Sequence, residues 1–367
     1  MLACPNSRRL YHPPALISLA VNRYETHPVQ YVFHPVEPLP VRLRPALGLL
    51  CALLLLAVVS MAAALLYGSA DLDIYEILSA FGGDATAAAH TVVFELRLPR
   101  ALTAFAVGGL LAVAGVLMQV LLRNPLAEPY ILGCSGGAAV AALCAMLLGW
   151  GATLVDSAAF AGAMAANLLV FSIAHGTGSW TPARLLLTGV VLAAGFSAAT
   201  TLLLALSPDQ GLRGMLFWLM GDLSFAHAPG QTLWLLVFVT AGATVFARHL
   251  NVMSRGETEA AILGLSVTSF RLSLFTVTAL ATAVSVTTAG VIGFIGLIVP
   301  HAIRLLAGSD HRVLIPASAL AGGSLLVIAD TVARSLLAPR QLPVGALTAA
   351  LGVPVFLYLM SRNRRPV

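Results

Sequence analysis

The stretch LSLFTVTALATAVSVTTAGVIGFIGLIVPHAI, residues 272–303, contains no Asp, Glu, Lys or Arg. As one continuous helix it would be about 48 Å long, whereas the hydrocarbon core of a bilayer is about 30 Å thick. Gly290, Gly293 and Gly296 lie near its middle, where a turn between two helices would fall. The stretch therefore predicts two membrane-spanning helices joined by a glycine-containing turn.

Eight further stretches without charged residues can each supply one helix across a membrane, which needs about 20 residues. They are residues 45–70, 101–122, 129–155, 157–183, 185–208, 223–247, 313–329 and 341–361. With the pair in 272–303 they predict an all-α integral membrane protein, a bundle of ten transmembrane helices. The composition agrees, because 59% of the residues are hydrophobic and only 10% are charged. The long continuous apolar runs exclude an outer-membrane barrel, whose strands alternate apolar and polar residues.

The arginines predict the orientation of this bundle, since all 20 basic residues are arginine. An even number of helices places both termini on the same side of the membrane. With both termini in the cytoplasm, fifteen of the 20 arginines are cytoplasmic, as the positive-inside rule requires. Residues 1–44 are rich in proline and predict a disordered cytoplasmic extension, unless the true start of the protein lies downstream. The transmembrane domain then covers residues 45–367.

The residue types also exclude several classes of protein. Without lysine the chain has no Walker A loop and no Schiff base, so it is neither a P-loop ATPase nor a pyridoxal enzyme. The four cysteines lack the spacing of a zinc site or a disulfide framework. Gly133–Gly136 matches a serine hydrolase motif at Ser135, but no base or strand–turn–helix context accompanies it, so helix packing is the favoured explanation. For His301 and Arg304, a cap or packing pair at the inner helix end is favoured over a proton relay.

Two arginines precede the second predicted helix on the outer side, in Arg97-Leu98-Pro99-Arg100. This position opposes both the helix dipole and the positive-inside rule. The arginines are either a snorkelling pair or a docking site for an acidic external partner, because arginine binds carboxylates with two parallel hydrogen bonds. Arg334, at the outer end of the ninth predicted helix, could join them.

Two loops are candidates for contacts with a ligand or a partner. Residues 215–225 (MLFWLMGDLSF) are too short to span the membrane and could form an outer re-entrant segment. Their methionines and aromatic rings suit either a large flat ligand or plain packing. The inner loop 248–268 predicts a short helix that begins near Glu257 and ends at Gly264. This loop is either a solvated connector or a binding site for a partner.

Together these residues resemble the FecCD-type permeases of type II ABC importers, which take up haem, ferric siderophores and cobalamin. The matching segments occur in order between residues 46 and 361. They are Arg97–Arg100, Arg123–Pro129, Gly133–Ala138, Phe217–Gly221, Gly290–Arg304, Ser309–Arg312, Ala329–Arg334 and Leu342–Gly345. No single segment is specific, but their joint occurrence in this order is.

The resemblance implies a ten-helix permease subunit in the bacterial inner membrane, paired with a second permease subunit as a homodimer or as a heterodimer with a related chain. Two cytoplasmic ATPase subunits would bind ATP and Mg²⁺, and a periplasmic binding protein would deliver the substrate. This chain would then hold no cofactor or metal and would not be an enzyme. Haem or a ferric siderophore is the expected substrate, with cobalamin as the alternative. The runner-up is an ion-coupled secondary transporter, which would need ionisable groups at mid-membrane, whereas those here lie near span ends.

The candidate site residues fall into four groups. The arginines that would receive acidic residues of the binding protein are Arg97, Arg100 and Arg334. The coupling loop 248–268 would contact the ATPase, with the candidates Arg255, Gly256, Glu257, Glu259 and Gly264. The inner gate would include Thr181, Pro182 and Ala183, of which the last two replace hydroxyl residues of the family. The outer re-entrant segment contributes Met215, Phe217, Trp218, Met220 and Asp222.

Overall fold

The structure is a computed structural model that describes residues 43–68, 73–82, 86–176, 181–224 and 229–362. Over these residues the chain forms helices and no strand, as the charge-free stretches predict. The prediction of an N-terminal extension over residues 1–44 lies outside the described residues, apart from the start of the first helix.

The α-helices are numbered α1 to α15 in chain order. They are α1 Leu43–Leu66, α2 Ile74–Gly82, α3 Ala87–His90, α4 Leu98–Leu121, α5 Cys134–Leu147, α6 Ala152–His175, α7 Pro182–Ala205, α8 Asp209–Leu219, α9 Pro229–Val245, α10 Ala247–Met253, α11 Glu257–Ile262, α12 Val267–Ala289, α13 Ile295–Ala307, α14 His311–Ser335 and α15 Val344–Arg362. A π-helix, Thr91–Arg97, joins α3 to α4, and a 3₁₀ turn, Pro129–Leu132, precedes α5.

Six helical segments in the described part of the chain are long and apolar enough to cross a membrane, or seven if the bent pair α9–α10 is one span. The six are α1, the continuous run from α3 to α4, α6, α7, α12 and α14. Three shorter apolar helices, α5, α13 and α15, accompany them. Each charge-free stretch of the sequence contains most of one of these helices, and residues 272–303 contain most of two.

The predicted break in residues 272–303 is confirmed. α12 ends at Ala289 and α13 begins at Ile295. Between them Gly290 has a left-handed backbone conformation, with φ of 68°. A Cβ added at Gly290 would overlap the carbonyl oxygen of Trp218. Glycine is therefore required here both by the backbone angle and by the segment that packs against the break.

The helix in residues 129–155 is shorter than the charge-free stretch predicts. Pro129–Leu132 forms the 3₁₀ turn, which ends at Gly133 with φ of 74°. At the other end of α5, Gly149 also has a positive φ, 72°. Side chains other than glycine rarely adopt this conformation, so the two glycines mark the bounds of the helix.

Arg97 and Arg100 do not precede a helix, as the sequence suggested, but lie inside one. The helical segment runs without interruption from Ala87 to Leu121. A proline inside a regular α-helix would clash with the preceding turn. Just before Pro99 the chain forms the wider π-helix, in which the N–H of Leu98 donates to the carbonyl of Val93. This wider turn accommodates the proline ring and lets the helix continue.

α4 lies at the centre of the bundle, and most of its residues are buried. It packs against α14, α12 and α13. A Cβ added at Gly115 would overlap the carbonyl oxygen of Gly296 in α13, and one at Gly108 would overlap that of Gly322 in α14. Small residues thus bring the helix backbones close together, as is typical of membrane helices.

Two ends of the bundle carry the candidate residues. The end with Arg97, Arg100 and Arg334 is called the predicted outer end. The end with residues 248–268 is called the predicted inner end.

Candidate sites at the two ends of the bundle

Asp330 lies at the centre of a polar cluster at the predicted outer end. Nε of Arg100 donates to both of its carboxylate oxygens, at 3.1 and 2.9 Å, and Nη2 donates to Oδ1 at 2.8 Å. Nε of Arg334, one turn further along α14, lies 3.7 Å from Oδ2. The side chains of Asp330 and Arg100 are 2% and 13% exposed. One shielded carboxylate therefore balances two of the three candidate docking arginines.

Two arginines of this cluster also bind the C-terminal end of α1. Nη1 of Arg97 donates to the carbonyl oxygens of Leu65 and Leu66, at 2.6 and 3.1 Å. Nη2 of Arg334 donates to the carbonyl oxygen of Ala64. The last carbonyls of a helix have no partner within the helix, so they are good acceptors for a cation. Arg97 and Arg334 are 3% and 5% exposed, and both fasten α1 to the bundle.

Arg100 connects the cluster to the neighbouring loops. Its Nη1 donates to Oε1 of Gln341 at 3.0 Å and to Oγ of Ser224 at 3.2 Å. The Ser224 hydroxyl in turn donates to Oδ1 of Asp222 at 2.6 Å. Asp222, a candidate of the re-entrant segment, is thereby linked to a candidate docking arginine through one hydroxyl group.

The candidate re-entrant segment consists of the end of α8 and the turn that follows it. Met215 is 2% exposed and Met220 is 45% exposed, while Phe217 and Trp218 are half-buried. The backbone N–H of Asp222 donates to the last carbonyl of α12 at 2.9 Å. The segment therefore packs against the break between α12 and α13.

The helix predicted in the inner loop is confirmed as α11. It begins at Glu257, and Gly264 follows it with φ of 82°. Oε2 of Glu257 accepts a hydrogen bond from Nη1 of Arg271 at 3.0 Å, and the side chain of Arg271 is only 8% exposed. A Cβ added at Gly256, which has φ of 155°, would overlap Oε2 of Glu259. The ion pair to α12 thus fixes the start of this helix.

An apolar and basic surface surrounds α11. Ile262 and Leu263 are 75% and 67% exposed, and Arg255 is exposed as well. A cavity of about 380 Å³ lies beside them, lined by Arg248, His249, Val252, Leu263, Gly264 and Leu265. Exposed aliphatic side chains rimmed by charged groups are typical of a surface that binds another protein.

The candidate gate residues form the start of α7. Oγ1 of Thr181 accepts a hydrogen bond from the N–H of Arg184 at 3.3 Å and so caps the helix. Pro182 occupies the first turn, where its missing N–H costs nothing. Thr181 and Ala183 are exposed. Their role as a gate stays a prediction.

The serine motif of the sequence is explained by packing. A Cβ added at Gly136 would lie 2.7 Å from Cβ of Phe196 in α7, and one at Gly137 would lie 2.5 Å from Cβ of Ala166 in α6. The glycines around Ser135 thus let α5 approach two neighbouring helices. Arg304 is likewise a packing residue, since its Nη2 donates to Oε1 of Gln119 in α4 at 2.8 Å.

Comparison with known proteins decides the family, because residues 54–362 match the FecCD transport family. The chain belongs to this family. The hemin transport system permease protein HmuU of Yersinia pestis is 39% identical to this FecCD chain over 339 residues, which cover 88% of this chain and 98% of HmuU. The cobalamin import system permease protein BtuC of Halobacterium salinarum is 44% identical over 275 residues, 74% of each protein.

Solved structures agree with the FecCD assignment. An inward-facing conformation of a metal-chelate type ABC transporter aligns with 86% of this chain and 99% of its own, at a TM-score of 0.76 and 30% identity. PsaBC from Streptococcus pneumoniae shares the fold, with a TM-score of 0.53 over 78% of this chain and 95% of its own, at 18% identity. The protein is thus a multi-pass ABC importer permease of the FecCD family, a transport protein and not an enzyme. The ion-coupled alternative is thereby set aside.

Three polar residues of this FecCD chain were not singled out as site residues by the sequence. Asp330 had a local signal, since an arginine follows it four residues later. Asn251 and Glu128 had none, because their partners Asp310 and Phe294 are 59 and 166 residues away. Such pairs become visible only when the helices are assembled.

Proposed function

We propose that this chain is the permease subunit of a binding-protein-dependent importer that moves haem or a ferric siderophore inward across the bacterial inner membrane by ATP-driven alternating access. The observation that carries the proposal is α11 and its surroundings. The helix is held to α12 by the Glu257–Arg271 ion pair and leaves Ile262 and Leu263 exposed. A short, fixed helix with an open apolar surface is suited to insert into a cytoplasmic ATPase subunit.

The proposed topology has ten transmembrane helices with both termini in the cytoplasm. It counts the six long apolar segments, the bent pair α9–α10, and the shorter α5, α13 and α15. The bend of 62° between α9 and α10 fits a helix that leaves the membrane as it enters the coupling loop. The arginine distribution supports the orientation.

The proposed assembly contains a second copy of this permease, which faces α7. Within this chain α7 buries only Leu185 and Gly189, so most of this helix is free to contact lipid or another subunit. The candidate gate residues Thr181, Pro182 and Ala183 begin this helix. In a homodimer with α7 at the interface, two copies of the gate would meet at the inner end of a shared pathway.

ATP and Mg²⁺ belong, in this proposal, to two cytoplasmic ATPase subunits. The coupling residues Arg255, Gly256, Glu257, Glu259 and Gly264 would transmit the closure of these subunits to the membrane helices. The helices of this chain would pack differently in the two states of the transport cycle, and the chain would carry out no chemical step itself.

A periplasmic binding protein would dock at the predicted outer end. Among the three candidate arginines, Arg100 has a side chain that is 13% exposed, whereas Arg97 and Arg334 are 3% and 5% exposed. An acidic residue of the binding protein would therefore reach Arg100 first. Arg97 and Arg334 would hold the end of α1 in place beneath it.

The proposed substrate is haem or a ferric siderophore, with cobalamin as the alternative. The relative named for hemin aligns over 98% of its own length, and the solved relative is of metal-chelate type. The half-buried aromatic side chains of Phe217 and Trp218 would offer flat apolar contacts at the outer mouth.

Mass spectrometry of the proteins that co-purify with the chain from its native membrane tests the class, and uptake of haem, ferric siderophore or cobalamin into proteoliposomes tests the substrate. An ABC ATPase and a periplasmic binding protein are expected. Ile262→Glu should lower the recovered ATPase by about tenfold, because it places a charge in the apolar docking surface. Thr258→Glu, on the same helix at an exposed position, is the matched control. Absence of any ABC ATPase from wild-type samples in several detergents would contradict the proposal.

A further inference from the structure

One side chain, Asn251, joins the inner loop to the turn between α13 and α14. Its Nδ2 donates to Oδ1 of Asp310 at 2.9 Å. Its Oδ1 accepts from the backbone N–H of His311 at 3.0 Å and lies 2.6 Å from Nδ1 of the same histidine. Asn251 belongs to α10, whereas both partners are about sixty residues away in sequence. The amide is therefore a bridge between two distant segments of the chain.

The direction of each hydrogen bond in this bridge is fixed. The backbone N–H of His311 can only donate, so the oxygen of the Asn251 amide must face it. The amide nitrogen then faces Asp310, whose carboxylate can accept. Because Oδ1 of Asn251 is an acceptor, Nδ1 of His311 carries the proton and donates to it. His311 is 2% exposed, so water does not substitute for these bonds.

Asp310 has a second role in the same turn. Its Oδ1 also accepts from the N–H of Arg312 at 3.0 Å, and so caps the start of α14. The Asn251 amide is thus bonded to the N-cap residue of this helix, Asp310, and to its first residue, His311. A displacement of α10 acts directly on the first turn of α14.

α14 carries this contact to the other end of the molecule. The helix extends from His311 to Ser335, with Pro316 in its second turn, and packs against α4 and α1. From His311 to Asp330 it is about 29 Å long at 1.5 Å per residue. Asp330 binds Arg100, and Arg334 of the same helix binds the end of α1. One helix therefore has the inner bridge at one end and the arginine cluster at the other.

We propose that Asn251 is a positioning residue that couples the inner loop 248–268 to α14, so that movement of the loop by the ATPase reaches the outer arginine cluster. The inference rests on the proposed function, because it assumes that the ATPase binds this loop. The Glu257–Arg271 ion pair connects the loop only to the next helix in sequence, α12. Asn251 connects the loop to α14, which follows the break between α12 and α13.

The test uses the assembled transporter in proteoliposomes, with ATP hydrolysis and substrate uptake measured on the same preparation. Asn251→Asp places a carboxylate against Asp310, where the amide donor was. Uptake per ATP should fall by about fivefold or more while hydrolysis stays within about twofold of wild type. Asn251→Asp/Asp310→Asn returns one amide and one carboxylate to the bridge and should recover most of the lost coupling. Ser254→Ala, an exposed position on the same turn whose hydroxyl donates to the Asn251 carbonyl, should remain coupled.

An unchanged ratio of uptake to hydrolysis in Asn251→Asp would overturn the inference, as would a parallel fall of both rates, which is the result of a merely structural role. If the wild-type complex does not transport, the proposed function fails instead. Hydrogen–deuterium exchange on the purified full chain then still tests the bridge itself. Exchange at the α13–α14 turn should be about tenfold faster in Asn251→Asp than in Ser254→Ala. Equal exchange in the two variants would refute the bridge.

Discussion

Asp330→Asn is a change of one functional group at the centre of the arginine cluster of the predicted outer end. The Asp330 carboxylate accepts three hydrogen bonds from Arg100 and lies 3.7 Å from the guanidinium of Arg334. Asparagine keeps the shape of the side chain but removes its charge and turns one acceptor into a donor. Two shielded cations would then face a neutral amide.

The size of the effect follows from the burial of this pair. Removing one partner of a buried ion pair costs about 3–5 kcal/mol, because the remaining charge is left without compensation. The side chain of Arg100 is 13% exposed, so some water reaches it and the lower value, about 3 kcal/mol, applies. Arg100→Gln removes one of the stranded charges. The double variant Arg100→Gln/Asp330→Asn should therefore be more stable than the sum of the single effects predicts, by about 2 kcal/mol.

Unfolding by SDS titration from mixed micelles measures these free energies. Asp209→Asn is the matched control, since Asp209 is an exposed aspartate in the first turn of α8. We expect the control to stay within about 0.5 kcal/mol of wild type. If Asp330→Asn also stays within about 0.5 kcal/mol of wild type, or if the double-mutant cycle gives a coupling energy of zero, Asp330 does not stabilise the arginine cluster.

Three further predictions concern other parts of the bundle. Gly115→Ala should destabilise the protein by about 1–3 kcal/mol, because the new methyl group meets the α13 backbone; Gly242→Ala, where the space is open, should not, and equal stabilities would contradict the packing argument. Burial raises the pKa of the Glu128 carboxyl, while its hydrogen bond from the Phe294 N–H lowers it. Ionisation of a group with a raised pKa costs folding free energy, so wild-type stability falls as the pH rises through that pKa. Glu128→Gln should remove this fall, and its thermal midpoint should exceed that of wild type most at alkaline pH; a pH-independent difference would count against it. Arg100→Glu should weaken the affinity for the binding protein, whereas Asp330→Asn, which releases the guanidinium, should leave it equal or tighter; a loss in both variants would assign Arg100 a structural role only.

The sequence located the membrane helices because a charge in lipid is costly, so stretches without charge coincide with buried or lipid-facing helices. The absence of charge is a poor guide where a charged side chain finds hydrogen-bond partners inside the protein. The charge-free stretch began only after Arg100, yet the helix continues back to Ala87, since Arg97 donates to backbone carbonyls. For residues 129–155 the absence of charge predicted a helix that is too long. The backbone conformations of Gly133 and Gly149 end α5 early, although no charged residue is present.

The candidate sites divide in a similar way. α11 could be predicted from residues close in sequence, because its first-turn acids and its terminating glycine follow local rules. The ion pair of Arg100 with Asp330 joins residues 230 positions apart, and the Asn251 bridge joins residues 59 positions apart. Single-sequence patterns carry no information on such distances. Resemblance to a family marked several of these segments as important, but not which atoms they bind.

In the sequence, Arg97 and Arg334 were placed against the helix dipole or the positive-inside rule. Both rules depend on the helix that a side chain contacts in the folded protein, which need not be the helix next to it in sequence. The sequence alone places Arg97 at the start of a helix, the end of the dipole that repels a cation, but the helical segment begins ten residues earlier, at Ala87. Judged from α1, Arg97 sits at the C-terminal end, where the last carbonyls accept its hydrogen bonds and the dipole attracts it. Arg334 does the same for Ala64 from a third helix. Arg97 and Arg334 are thus bound to the end of α1, and Arg100 is the arginine that the proposed partner would reach.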